Sequence, residues 1–210
     1  MKTQAQFWDD AAESYAKKPV EDPAAFERKI ELTRARLQPA DEVLDIGCGT
    51  GSLALRLASS AGEMHGLDVS REMIRIAERK ASEAGAANVR FHVGPFDPSF
   101  DAFAPGSLDC ICAFSILHLL EDREGALERM YALLRPGGTL VSSTVCLGAS
   151  WFVYQPLIWM MRQLGQAPWV AIISPQRLVA DLERAGFVDI ETPDVGAKST
   201  AAFIIARRPR

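Results

Sequence analysis

Nine residues, Val43 to Gly51, read V-L-D-I-G-C-G-T-G and leave few folds open to the chain. Val43, Leu44 and Ile46 make a short apolar run, a glycine-rich turn follows, and a helical pattern starts directly after it. That is the strand, turn, helix order of a nucleotide-binding α/β unit. Glycine lacks a Cβ, so such a turn can take positive φ, let a ligand approach the peptide groups and present free N–H donors at the helix start. A dinucleotide fingerprint places glycine at the first, third and sixth positions of the turn. Counted from Gly47 the sixth position is Ser52, and Gly51 comes one residue early. Asp45, at the end of the strand, carries a charge that repels a pyrophosphate and suits an ammonium group. The expected ligand therefore has an amino acid end and no phosphate, and a nicotinamide oxidoreductase is disfavoured.

The same nine residues resemble the first motif of the class I S-adenosylmethionine-dependent methyltransferases. Asp68, 17 residues beyond Gly51 and after the apolar stretch around Met64 and Leu67, resembles their second motif; an acid so placed accepts both hydroxyls of a ribose. The resemblance implies an α/β fold with a doubly wound, mostly parallel seven-stranded sheet and a C-terminal antiparallel strand pair, with S-adenosylmethionine as cofactor. It implies that Asp45, Gly47, Cys48, Gly49 and Gly51 hold the methionine end and Asp68 the ribose, with Val69 and Met73 also in the cofactor site. Leu108 to Phe114, led by Asp109 and running on to His118, resembles the fourth motif and puts Ala113 and Phe114 near the methionine part. L-L-R-P-G-G-T-L, Leu133 to Leu140, is a further signature, structural in its reading: it turns the chain into a strand from Thr139 to Cys146. The loop Gly94-Pro95-Phe96-Asp97-Pro98 departs from the family pattern. Many relatives carry an acid where Pro95 stands, to accept a hydrogen bond from the adenine amine. Here Asp97 is the candidate substitute and Phe96 the candidate to pack on the purine face; a loop held open by two prolines is the other reading.

Composition narrows the acceptor. The chain has 210 residues, 48% of them hydrophobic, which suits one domain with a sizeable core. Its net charge of -4 argues against a nucleic-acid partner, and Arg207, Arg208 and Arg210 are too few to change that. The fourth motif also carries A-F-S-I in place of the N-P-P-Y-like tetrapeptide of the N-methylating nucleic-acid enzymes. Cys48, Cys110, Cys112 and Cys146 lie in or beside apolar strand patterns without zinc-site spacing, so they read as reduced packing residues and point to the cytoplasm. No metal ligand set is read. The first ten residues lack the apolar core of a signal peptide, and no run spans a bilayer uninterrupted.

Residues 1–40 read as a helical lid. Phe7 to Lys17 has helical spacing with an F-W-D-x-x-A-x-x-Y pattern similar to a cofactor-covering helix of related enzymes. Tyr15 and Trp8 are its candidate contacts, for cofactor and acceptor respectively, because aromatic faces attract a sulfonium cation; packing against the domain is the other reading. A second helix follows Pro23 and stops at Pro39. Helices after Gly51 and Ser70, and from Ser174 to Gly186, alternate with strands at Val89 to Val93 and Leu108 to Phe114. Phe187 to Glu191 and Ala201 to Ala206 form the closing strand pair.

Residues 149–173 are aromatic-rich and interrupted by Gln155, Pro156, Arg162, Gly165 and Pro168. Inserted after the fifth strand, they are expected to roof an apolar pocket through Trp151, Tyr154 and Trp159. A homodimer interface and a membrane-surface element are the competing readings. His118 is the histidine next to the presumed site; near its unperturbed pKa it is the candidate general base at neutral pH, and a structural histidine is the other reading. The chain as a whole reads as an enzyme transferring a methyl group to a small-molecule or lipid-like, partly apolar acceptor. The alternative is a non-catalytic binding or regulatory protein.

Overall fold

The computed structural model describes residues 2–146, 160, 169–196 and 201–210. Its strands are β1 (Glu42–Ile46), β2 (Glu63–Asp68), β3 (Val89–Val93), β4 (Leu108–Phe114), β5 (Leu134–Val145), β6 (Val188–Glu191) and β7 (Ala201–Arg207). They form one sheet in the order β3-β2-β1-β4-β5-β7-β6. The first five in that order run parallel, and β7 is antiparallel to both β5 and β6. Strand order reverses between β1 and β4, so the connections leaving these two strands part and open a crevice at their carboxyl ends.

The helices are α1 (Gln4–Lys17), α2 (Pro23–Arg34), α3 (Ser52–Leu57), α4 (Arg71–Ala84), α5 (Arg123–Leu133) and α6 (Pro175–Arg184). Their starts are written in local chemistry. Asp22, Ser70, Asp122 and Ser174 each accept a backbone N–H from the first turn of the following helix, and Thr3 and Gln6 form a reciprocal capping box at α1.

The alternation of a strand divides the core in two. Val43, Met64, Cys110 and Cys112 pack toward Ile30 of α2 and Leu53 and Leu57 of α3. Leu44, Ile46, Leu67 and Ile111 pack toward Leu127 and Met130 of α5 and Leu178 and Leu182 of α6. The four cysteines are free and buried, as packing residues. Among the described residues no helix is long and apolar enough to cross a membrane.

Three boundaries differ from the sequence reading. Helix α2 ends at Arg34, well before Pro39, where Arg36 and Leu37 donate into tight turns with Thr33 and Arg34. Helix α3, whose helical spacing of Leu53, Leu57 and Ala61 predicts a helix as far as Ala61, gives way instead to a 3₁₀ turn at Ala58–Ser60. Arg135 to Gly138 is a bulge inside β5: Leu134 pairs with Leu108 and Thr139 with Cys110, so four residues bulge out opposite one.

Helix α1 lies across α4. Trp8, Ala12 and Ala16 pack on Met73 and Ile76. Asp9 accepts from Ser70 Oγ at 2.6 Å and from the Glu72 N–H at 3.1 Å. The Gln4 amide donates to Leu119 O at 3.1 Å, which ties the start of α1 to the loop beyond β4.

Candidate active site

The crevice at the sheet switch point opens into a cleft of about 700 Å³. Tyr15, Gly47, Gly49, Asp68, Val69, Met73, Phe96, Asp97 and Phe114 line it, together with Trp8 and His118. Asp45, Cys48, Gly51 and Ala113, also read as cofactor residues, do not reach its wall. Trp151, Tyr154 and Trp159 lie outside the described residues.

The turn after β1 does not present to the crevice the free N–H donors that its glycines suggest. Gly47 and Cys48 donate their N–H groups to Leu67 O at 2.7 and 3.0 Å, Gly49 donates to Asp68 Oδ2 at 2.9 Å, and Gly51 donates to Cys48 O at 3.0 Å. Four donors expected to face the crevice are thus spent on the neighbouring strand and the turn itself. A turn so depleted of donors is a poor anion site, and the groups beside it are carboxylates, which suits a cationic ligand end. Ile116 closes over Gly47: a Cβ there would come within 2.9 Å of three Ile116 side-chain atoms.

Asp68 bridges the turn and α4. Its Oδ2 takes the Gly49 N–H and its Oδ1 the Ser70 N–H, both at 2.9 Å. Each oxygen keeps a second lone pair for the cleft. Burial raises its carboxyl above the ordinary range, although the backbone hydrogen bonds oppose this. Partial burial and the Asp68 and Asp45 charges likewise raise the Tyr15 phenol.

Asp45 is 1% exposed and its Oδ2 has no hydrogen-bond partner. Burial first, and the Asp68 charge second, push it from 3.8 up to about 8. Between those values the folded chain holds a proton that the unfolded chain releases, so this group's contribution to stability is full below pH 3.8 and is lost as pH rises through about 8. Asp45→Asn is expected to remove that decline in the cofactor-free protein. Thermal midpoints of the two proteins should diverge, in favour of the variant, as pH rises from acid to mildly alkaline; parallel curves would refute the buried, protonated acid.

His118 follows β4 in a 3₁₀ turn, Leu117–Leu119, and is 9% exposed with Nδ1 unpartnered. Burial pushes its pKa to about 4, which corrects the expectation of a base near its unperturbed value. Asp97 is turned onto its own loop, accepting from the N–H and hydroxyl of Ser99 at 2.8 and 2.5 Å.

Several wall residues were not among the candidate site residues read from the sequence. Ser115 is one of them: its φ of 56° is uncommon for a residue other than glycine, and its N–H donates to Ser143 O at 2.6 Å. Ile116, Leu119, Leu120 and Val170 make one side of the cleft apolar. Val170 belongs to the end of the aromatic segment, and its neighbour Ala171 donates to His118 O at 2.7 Å.

A family model described as a methyltransferase domain matches residues 37–178. The O-methyltransferase resE of Aspergillus sclerotiorum is 29% identical over 195 residues, 90% of this chain and 69% of that protein. The ubiquinone biosynthesis O-methyltransferase of Xanthomonas axonopodis pv. citri is 29% identical, covering 75% and 67% of the two chains. The demethylmenaquinone methyltransferase of Geobacillus kaustophilus is 31% identical, covering 65% and 56%. The chain thus spans between about half and about two thirds of the length of these relatives. In fold it is similar to the [4+2]-cyclase SpnF, with a TM-score of 0.75, 20% identity and coverage of 98% and 95%. It is also similar to the phosphoethanolamine N-methyltransferase 2 of Haemonchus contortus, with a TM-score of 0.75, 18% identity and coverage of 100% and 61%. The parallel sheet, the glycine turn after β1, the acid ending β2 and the matched family model agree: the chain belongs to the class I S-adenosylmethionine-dependent methyltransferases, with S-adenosylmethionine as its cofactor.

Proposed function

We propose that the chain methylates a small, partly apolar acceptor of the phenol or hydroquinone type. The observation that carries this reading is the apolar wall of Ile116, Leu119, Leu120 and Val170, which continues from the glycine turn in one cleft and ends at His118. Relatives named for ubiquinone and menaquinone biosynthesis support an acceptor of that chemical class. Family membership favours catalysis over the purely binding alternative.

The residues present fit the cofactor. Asp45 offers a buried carboxylate oxygen without a partner, beside a turn that has no need of an anion. In this reading an ammonium group near Asp45 and Gly47 draws the acid into its charged form, Asp68 takes the ribose hydroxyls, and Phe96 faces the adenine from a loop that Asp97 braces through Ser99. Gly51, Cys48 and Ala113 support the site from behind. The bound cofactor supplies a methyl group activated on a sulfonium. What remains for the protein is to hold the acceptor in line and keep water away, which can account for a large share of the barrier. Residues 1–40 act as a lid through Trp8 and Tyr15, whose rings meet edge to face at 6.2 Å; of the segment expected to roof the acceptor, Val170 is the described residue that lines the cleft.

His118, held neutral, accepts a hydrogen bond from the acceptor hydroxyl and orients its oxygen. His118→Ala should lower turnover by up to about tenfold, the worth of one neutral hydrogen bond, with cofactor affinity unchanged. The pH–rate profile should show no inflection from this residue near 6.5, because burial moves its titration to about 4. Full activity in the variant would remove the assignment. The reading as a whole is tested by methyl transfer to a panel of alkyl-substituted hydroquinones and catechols against small amines. Transfer confined to the amines would overturn the acceptor class.

A further inference from the structure

Glu42 and Glu63 open β1 and β2 and are register partners at the amino-terminal edge of the sheet, opposite the cleft. Both carboxylates turn toward one imidazole nitrogen. His65 Nε2 lies 3.5 Å from Glu42 Oε1 and 3.5 Å from Glu63 Oε2. His65 is only 6% exposed, and this nitrogen has no hydrogen-bond partner. The three ligand atoms lie within 4.8 Å of one another.

The surroundings hold this arrangement in place. His65 Nδ1 meets His92 Nε2 at 3.2 Å, and the Phe103 ring stands edge-on to His65 at 4.8 Å between centroids. The Glu42 N–H donates to Asp109 Oδ2 at 2.8 Å, and Asp109 pairs with Arg135. Arg90 reaches the other oxygen of Glu63 at 3.4 Å. When His65 donates from Nδ1 to His92, the lone pair on Nε2 points at two carboxylate oxygens. Three electron-rich atoms then converge with nothing between them, an arrangement that calls for a cation. Donors about 3.3 Å apart are what tetrahedral coordination at 2.0–2.1 Å produces, close to the two nitrogen–oxygen distances of 3.5 Å here. His92 would play the part of the outer hydrogen-bond partner that fixes a ligating imidazole.

We propose that Glu42, Glu63 and His65 form a divalent transition-metal site, suited by its nitrogen and oxygen donors to zinc, that clips β1 to β2. The three protein ligands leave further coordination to water, because both carboxylates are partly exposed. The site is separate from methyl transfer: none of its residues lines the cleft.

The test is calorimetric titration of Zn²⁺ into the untagged, chelator-stripped full chain, with thermal melts alongside. One equivalent should bind and raise the thermal midpoint. In the E42Q/E63Q double variant affinity should fall by at least about tenfold and the thermal gain should vanish, with S-adenosylmethionine affinity retained as the check on folding. No zinc binding, or equal affinity in the variant, would overturn the proposal. Should the variant fail to fold, X-ray absorption of the wild-type zinc complex decides: imidazole and oxygen ligands alone support the site, and sulfur ligands refute it.

Discussion

Replacing Asp68 by alanine should weaken S-adenosylmethionine binding by about 1.5 to 3 kcal/mol, roughly 10- to 150-fold, the loss expected when charged hydrogen bonds go. The structure gives two reasons for a large effect. The carboxylate is the candidate ribose acceptor, and it also holds the Gly49 and Ser70 N–H groups, each at 2.9 Å. Alanine leaves both donors without their acceptor and loosens the turn against α4. Asparagine should rescue only in part, because either orientation of its amide aims an NH₂ at one of those two N–H donors. S-adenosylhomocysteine shares the ribose and should lose affinity in parallel. Burial raises the Asp68 carboxyl, so binding should also begin to weaken on acidification at a higher pH than an ordinary aspartate would dictate. Isothermal calorimetry reads all four, and unchanged affinity in the alanine variant would refute the assignment.

Gly51→Ala is expected to cost about 2 to 5 kcal/mol of fold stability. Two independent terms contribute. The residue has φ of 74°, where an L side chain costs about 1–2 kcal/mol. Its Cβ would also stand 2.9 Å from Phe91 Cζ and 3.0 Å from Ala77 Cβ, and overpacking of this kind costs about 1–3 kcal/mol. The effect belongs to stability, since Gly51 sits behind the cleft where α3, α4 and β3 meet. Urea denaturation should show a lowered midpoint with an unchanged slope. A variant within about 0.5 kcal/mol of the parent would show that the turn relaxes freely.

Local chemistry made much of the architecture legible before any coordinates. The strand, glycine turn and helix around Gly47, the helix starts at Pro23, Ser70 and Ser174, and the alternation of Val89, Phe91 and Val93 are written in residues a few positions apart. Asp68 was legible too, because an acid closing the second strand has one place to go in a parallel sheet. The helix ends were less so: Pro39 reads as the stop, whereas the chain leaves its helix at Arg34, in turns closed on the carbonyls of Thr33 and Arg34.

The order of strands and helices was legible in periodicity and spacing, which are properties of neighbours along the chain, and the family in the resemblance of the motifs at Val43 to Gly51 and at Asp68. What those residues can do is set by groups that the fold brings together. Burial from every side, and the charge of Asp68 brought in from β2, raise Asp45 to about 8. Burial alone takes His118 to about 4 and makes a presumed base a neutral acceptor. The glycine turn lost its free donors to Leu67 and Asp68 of the adjoining strand, and His65 met Glu42 and Glu63 only because β1 and β2 pair in one register. Hydrogen-bond partners and desolvation are set by groups remote in sequence, so a linear pattern can name the residues of a site without stating their charge.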